Sequence, residues 1–342
     1  MRTARSSVSA LLFLAAVCSS AQNGSATLPE LPKDPQAILA LAEQHYQLNS
    51  AAMKPWYFRV SYQLYDRTGQ PTEKGTVDDW WASPRVYRET WIQGGNTLSV
   101  WHTADGKRLT VASGDEIRYF EAMIPSDLLE PLPQKLAENL KGSELKRDMI
   151  SFGNTRVPCV RSFNLGQVDS TYCFDPHLLM LLLKVDASGI EFRYGDFVKA
   201  GGRDFPRSMI ESVNGQKLLM ARVETIGDLS ADDPALDVPA DARTDGLAYP
   251  HGHGVLGKPT GPALQYPFEA REERLQGAVV FEAKIDKDGR VQDLELIAGP
   301  DPILEDAARK TASQWRFEPY QENGQAVPVR AQVELIFRLH RR

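Results

Sequence analysis

The chain has 342 residues, 42% hydrophobic and 25% charged, which fits a globular protein of two ordinary domains and excludes a disordered one. A net charge of −6 at pH 7 offers no broad basic field and argues against nucleic acid as a partner.

The first segment in chain order is expected to be a targeting signal. Arg2 and Arg5 form a basic start, and Val8 to Val17 is an apolar stretch too short to span a bilayer. Ser19-Ser20-Ala21 then places small residues before a cleavage point after Ala21, so residues 1–21 are predicted to be a signal peptide. The alternative is a lipid anchor on Cys18, although Val17 is bulky for the residue preceding such a cysteine. Cleavage would remove two arginines and take the net charge from −6 to −8. No later stretch is long and apolar enough for a membrane helix, so the expected location of the mature protein is the periplasm.

Residues 22–34 are polar and contain proline, as in a flexible leader. Pro35 to Asn49 is predicted to be a helix, with Asp34 as its cap, Pro35 at the first position, and a stripe of Ile38, Leu41, Ala42 and Tyr46. Strand-like runs follow at Tyr57 to Tyr65, Gly75 to Trp81, Val86 to Ile92, Thr97 to Thr103 and Lys107 to Ala112, with a hairpin signal at Asp105-Gly106. Ser126 to Leu140 is a second expected helix, and further strands are expected at 144–152, 156–164, 168–175, 189–198, 203–213 and 216–226. This order fits one long antiparallel sheet with a helix or two packed on it, over residues 35–227.

Within that region, a hairpin centred on Gly166 places Cys159 and Cys173 opposite each other, each seven residues away. An oxidising compartment favours a disulfide there, closing a loop of about fifteen residues, rather than a redox-active pair. The aromatics Trp80, Tyr87, Trp91 and Trp101 are either plain sheet core or the lining of an apolar cavity for a lipid-like ligand. Trp80 and Trp81 are adjacent, so at most one of them can line such a cavity. Asp78-Asp79 and Asp232-Asp233 are expected on solvated faces or turns.

Residues 228–262 are rich in proline and glycine, poor in apolar residues, and read as a linker. They contain His251-Gly252-His253, which lacks a third ligand nearby in sequence and is not assigned as a metal site. No G-x-S-x-G, P-loop or H-E-x-x-H motif occurs, so no catalytic residue, cofactor or enzymatic activity is predicted.

Beyond the linker, Leu275 to Ile285 and Val291 to Ile297 are predicted to be strands joined by Asp286-Lys287-Asp288-Gly289. A helix capped by Asp301 carries Leu304, Ala307, Ala308, Ala312 and Trp315 on one face. A last strand alternates Val327, Val329, Ala331, Val333, Leu335, Phe337 and Leu339 with Pro328, Arg330, Gln332, Glu334, Ile336, Arg338 and His340, as if one face were buried and the other wet. The fold class is therefore α+β: a large antiparallel sheet with packed helices, then a small ββαβ domain at 263–342.

Several pieces carry a family resemblance. They are Tyr266-Pro267, Gly277-Ala278-Val279-Val280, Asp286-Lys287-Asp288-Gly289-Arg290-Val291, Asp306-Ala307-Ala308, Trp315-Arg316-Phe317-Glu318-Pro319, Asn323-Gly324-Gln325 and Ile336-Phe337-Arg338-Leu339. In their order and spacing they resemble the C-terminal domain of the TonB family, over residues about 266–339. That resemblance implies no catalysis. It implies a domain that captures an extended segment of an outer-membrane transporter as an added strand, serving energy-dependent transport across the outer membrane. The accepting strand would comprise Val327, Val329, Arg330, Ala331, Gln332, Val333 and Glu334, and the same edge could pair with a second copy of the chain. Residues 298–302 depart from the family, which more often has serines and a glycine there. The short apolar segment in place of a long anchor puts force transmission from the inner membrane in doubt. The order of elements before residue 228 is similar to the LolA/LolB-type half-barrel of lipoprotein carriers. The alternative function is thus a periplasmic lipid or lipoprotein carrier whose last domain only docks it.

Overall fold

The computed structural model describes residues 31–44, 53–133, 135–164, 167–200, 203–244, 246–250, 256–322 and 324–339. The signal-peptide segment and the His251/His253 pair lie outside the described residues.

Helix α1 (Pro35–Glu43) starts as expected: the Asp34 carboxylate accepts from the Gln36 and Ala37 backbone N–H groups at 3.2 and 3.3 Å. Five strands follow, β1 (Trp56–Tyr65), β2 (Pro71–Ser83), β3 (Val86–Gln93), β4 (Asn96–His102) and β5 (Arg108–Ser113). Three short helices come next, α2 (Tyr119–Ala122), α3 (Ile124–Leu129) and α4 (Leu136–Asn139). Seven further strands complete the region: β6 (Glu144–Phe152), β7 (Thr155–Asn164), β8 (Gln167–Phe174), β9 (Leu181–Val185), β10 (Ile190–Ala200), β11 (Arg203–Val213) and β12 (Gln216–Asp228).

Among the described residues these strands form one twelve-stranded sheet in the order β5-β4-β3-β2-β1-β12-β11-β10-β9-β8-β7-β6, with antiparallel neighbours. The first and last strands, β1 and β12, are partners at the middle of the sheet, and β5 and β6 are its edges. The connection from β5 to β6 must therefore cross the whole sheet. It does so over one face, hereafter the inner face, where Ile117, Phe120, Ile124, Leu128, Leu129, Leu132 and Leu136 join Ile38 and Leu39 of α1 in one core with Trp56, Phe58, Val60, Val77, Trp81 and Trp91 of the strands.

Two expectations need correction here. The helix expected over Ser126 to Leu140 is broken, because Pro131 and Pro133 lack an N–H and force the residue before each out of helical geometry. Strand β9 was not expected. Its sequence continues the unbroken apolar run of residues 178–183, which has neither strand nor helix period.

The described part of residues 228–262 includes a 3₁₀ turn at Pro234–Leu236, capped by Asp233. The C-terminal part comprises α5 (Phe268–Glu272), β13 (Gly277–Ile285), β14 (Val291–Ala298), α6 (Pro302–Ala312), the two-residue strands β15 (Gln321–Glu322) and β16 (Gln325–Ala326), and β17 (Val329–Phe337). Its main sheet has the order β14-β13-β17, so β13 is central and β17 has one open edge.

Helix α6 begins where expected, with Asp301 accepting from the Ile303 N–H at 2.8 Å. Two of the recognisable motifs meet in space. Gly289 at the end of the β13–β14 turn has φ +82°, and a Cβ there would lie 2.0 Å from the Phe317 carbonyl oxygen. Phe317 N–H in turn donates to the Gly289 carbonyl at 2.8 Å, so only glycine fits the contact. The fold is α+β and mostly β. None of the described helices is long and apolar enough to cross a membrane.

Cys159 and Cys173 are register partners on β7 and β8 and form a disulfide. Both are fully buried, in a small cluster with Val157 and Leu183. Reduction, or a C159A/C173A variant, should lower the unfolding free energy in urea by about 3 kcal/mol on the chain-entropy account of a loop of this length. An unchanged urea midpoint would show that the cross-link contributes nothing.

Candidate binding edge on the small sheet

Strand β17 takes its register from β13, with Val329 opposite Ile285 and Phe337 opposite Gly277 and no shift between them. Its side chains alternate. Val329, Val333, Leu335 and Phe337 share one core with Leu304, Ala308 and Ala312 of α6. Val327 and Ala331 are buried as well.

Arg330, Gln332, Glu334 and Ile336 point the other way. This is the face expected to be wet, and the structure corrects that expectation: all four are only partly exposed. Ile336 packs, with Ala278 and Val280 of β13 and Ile297 and Ala298 of β14, into the core of the large sheet. The two sheets thus share a hydrophobic core. A signal for this second buried face was present in β13, where Ala278 and Val280 on one side alternate with Val279, Phe281 and Ala283 on the other. A strand apolar on both sides is buried on both sides.

An arginine stands at the centre of this contact. Arg330 donates from Nη1 to Glu282 Oε1 at 2.5 Å and from Nη2 to Glu116 Oε2 at 2.8 Å. Lys284 reaches the same Glu116 at 2.5 Å. Glu282 belongs to β13, whereas Glu116 lies between β5 and α2, so the network joins the two sheets. The Glu282 side chain is 2% exposed, and burial holds its carboxyl above its ordinary pKa even against Arg330. Burial would also raise Glu116, but hydrogen bonds from Lys284 and Arg330 outweigh it and bring that carboxyl below its ordinary value. Burial acts to lower the guanidinium pKa of Arg330, and its two carboxylate bonds more than reverse this. Further ion pairs cross the same boundary, among them Arg108–Glu322 at 2.7 Å, Arg118–Glu295 at 2.9 Å, and Arg67–Glu305.

The open edge of β17 is partly covered by the chain itself. Ala248 N–H donates to the Pro328 carbonyl at 3.0 Å, and Arg330 N–H donates to the Ala248 carbonyl at 2.9 Å. This is a parallel bridge between Ala248 and Val329. It identifies the outward backbone groups of the strand: those of Arg330 face away from β13, and, two residues on, so do those of Gln332. Sequence alone gave no sign of Ala248, which sits in a turn-rich stretch without periodicity.

The four aromatics singled out from sequence do not come together. Tyr87 and Trp91 lie on the inner face, where Tyr87 stacks on His102 with ring centroids 4.1 Å apart and Trp91 Nε1 donates to the Glu121 carbonyl at 2.9 Å. Trp80 and Trp101 lie on the outer face, each 4.7 Å from the Arg88 guanidinium between them. Arg88 also donates to the Ala235 carbonyl at 3.0 Å and lines an outer groove of about 410 Å3 with Trp101, Asp237, Pro239 and Asp241. The tryptophan of the adjacent pair that faces inward is Trp81, stacked on Trp56 at 5.7 Å.

The alternation that splits the tryptophans also splits Asp78-Asp79, which was expected to be solvated. Asp78 accepts from Arg59 at 2.6 and 2.9 Å and from Tyr57 at 2.7 Å on the outer face. Asp79 is buried on the inner face, opposite Glu89 across β2 and β3. Burial, and then Glu89, push Asp79 well above the ordinary carboxylate range, and burial pushes Glu89 to about 8. Glu121 on α2 is raised to about 7 by burial, against the Arg118 N–H that donates to it. Glu211 on β11 is raised to about 8 by burial and then by Asp127; Asp186 and Glu334 also face it, and Lys184 opposes them. Among the described residues no cluster of His, Cys, Asp and Glu is placed to hold a metal ion.

The small sheet thus has both faces covered, one by α6 and the other by a large helix-lined sheet, and an outer backbone edge on β17 that Ala248 partly occupies. Residues 262–339 match the family described as Gram-negative bacterial TonB protein C-terminal. The solved TonB C-terminal domain of Pseudomonas aeruginosa is similar at 28% identity, covering 25% of this chain and 88% of that one, with a TM-score of 0.22. A DUF1329 family protein from Desulfovibrio piger covers 60% of this chain and 100% of its own at 12% identity and a TM-score of 0.38. A LolA superfamily protein from Nitrosomonas europaea covers 58% and 97% at 8% identity and a TM-score of 0.30. No curated protein matches the chain in sequence.

Replacing Arg330 with alanine would leave the buried Glu282 without its cation while Glu116 keeps Lys284, and should cost about 3 kcal/mol of stability in urea unfolding. A loss under about 0.5 kcal/mol would place the network among ordinary surface pairs. A second expectation concerns pH. Glu89 and Glu211 have ordinary values of 4.5 and folded values of about 8, so between those limits the folded chain binds more protons than the unfolded one. Their contribution to stability is complete below pH 4.5 and is lost as the pH rises through about 8. Unfolding measured from pH 5 to 8 should show stability falling with pH. An E211Q variant should flatten that slope by up to about 1.4 kcal/mol per pH unit; an identical slope in the variant would remove Glu211 from the account.

Proposed function

We propose that this chain is a cell-envelope protein whose TonB-type C-terminal part captures an extended segment of a partner on the β17 edge. The partner class is an outer-membrane transporter or another envelope protein, and the activity serves energy-dependent transport across the outer membrane. One observation carries this reading: the edge already accepts an extended segment, the chain's own Ala248, through two backbone hydrogen bonds. Capture of this kind draws its affinity from main-chain bonds and asks little of side chains, which suits a strand whose side chains are committed to two cores. The match of residues 262–339 to the TonB C-terminal family supports the partner class. A targeting segment at residues 1–21 would deliver the chain to the periplasm, with lipidation at Cys18 as the alternative.

The carrier alternative draws on the large sheet. Less supports it, because α1 to α4 and the back of the small sheet already pack against the inner face. A lipid entering there would have to displace these elements.

Binding of the full chain to fluorescent peptides copied from the periplasmic segments of outer-membrane transporters tests the proposal. Gln332→Pro removes one outward N–H donor while leaving the β13 side of the strand intact, a position where a sheet tolerates proline. The variant should stay folded by circular dichroism and lose up to about tenfold in affinity, the worth of one unmade hydrogen bond. Absence of binding by the unmodified chain across such a peptide set would defeat the proposal.

A further inference from the structure

The segment that contacts β17 is fastened at both ends. Upstream, Arg243 forms an antiparallel bridge with Thr110 of β5, exchanging backbone bonds of 2.8 and 2.9 Å. Strand β5 is an edge of the large sheet, so a single stretch of chain covers the edge of one sheet and, five residues later, part of the edge of the other. Between the two bridges, Arg108 donates to the Gly246 carbonyl at 2.8 Å and to the Leu247 carbonyl at 3.3 Å, while its Nε is held by Glu322. Downstream, the Tyr249 hydroxyl donates to the Ile117 carbonyl at 3.1 Å and the Tyr119 hydroxyl donates to the Pro250 carbonyl at 2.9 Å. The fit is close: Ala248 is 1% exposed, and a Cβ added to Gly246 would lie 2.1 Å from the Thr110 hydroxyl oxygen.

We propose that residues 246–250 are a resident competitor strand, which a partner's segment must displace to use the whole β17 edge. This rests on the reading of that edge as the capture site. The bonds that hold Ala248 use the outward groups of Pro328 and Arg330, which an incoming strand in the same lane would need. A binding site open for only a fraction of the time has its apparent affinity reduced by that fraction. The competitor also describes its replacement. The lane opposite Val329 is closed around a methyl group, so the segment that fits is extended, pairs parallel to β17 there, and carries a small apolar residue at that register.

A synthetic peptide of residues 243–250 serves as the probe, titrated onto the full chain. Two variants release the resident strand without touching β17: Gly246→Val, through its collision with Thr110, and the double change Tyr119→Phe with Tyr249→Phe, through loss of both hydroxyl bonds. In each, the backbone amides of Ala248 and Arg330 should exchange hydrogen faster. The peptide should bind about tenfold or more tightly than to the unmodified chain, and a peptide with Ala248→Trp should lose that gain. Faster amide exchange with no gain in peptide affinity, in either variant that folds, overturns the competitor role. Binding of the 243–250 peptide by the released variants, with no transporter segment bound by any form, upholds the competitor and removes the proposed partner class instead. Transporter-segment affinity equal in the unmodified and released chains upholds the partner class and removes the competitor.

Discussion

A β-sheet has two faces and two hydrogen-bonding edges, and every apolar face or open edge left in water is a liability. The small C-terminal sheet meets this constraint with separate means for each surface. One face is covered by α6. The other is pressed against the large sheet, where Ala278, Val280 and Ile336 enter its core and Arg330 links Glu282 to Glu116. One edge belongs to β14, and the other, on β17, is partly taken by Ala248. Arg330 contributes to two of these contacts at once. Its side chain bridges the sheets, and its backbone N–H holds the crossing segment.

The arrangement fixes where chemistry can occur. With the side chains of β17 committed on both sides, the proposed capture would draw its selectivity from the backbone edge and the narrow space around Ala248. The large sheet is similarly committed. Its inner face is packed with the helices that must cross from β5 to β6, and it holds the carboxyl groups of Asp79, Glu89, Glu121 and Glu211 at raised pKa values. Buried acids of this kind cost little while protonated and a great deal once ionised. They make the body of the protein firmer in mild acid than in mild base.

Much of the local structure was legible in the sequence. Asp34 and Asp301 cap helices with proline at the first position, Gly289 closes the β13–β14 turn, and Cys159 and Cys173 stand in register on adjacent strands β7 and β8 as expected. Each of these is a local rule, in which the residues concerned belong to one cap, one turn or one pair of consecutive strands. Legibility failed where proline interrupted an otherwise helical pattern, at α3 and α4, and where an apolar run carried no period, at β9.

The sequence by itself determined most of the elements, the cysteine pairing and the likeness of residues about 266–339 to a TonB C-terminal domain, because periodicity, caps and turns are written in neighbouring residues. Tertiary structure alone decided which surfaces meet. It placed Trp80 and Trp101 on the opposite face from Tyr87 and Trp91, buried Asp79, turned the charged face of β17 inward onto Glu116, and laid Ala248 along its edge. The last two contacts join residues far apart along the chain, Arg330 with Glu116 and Val329 with Ala248. A charged side chain with a distant partner reads, along the chain, the same as one facing water.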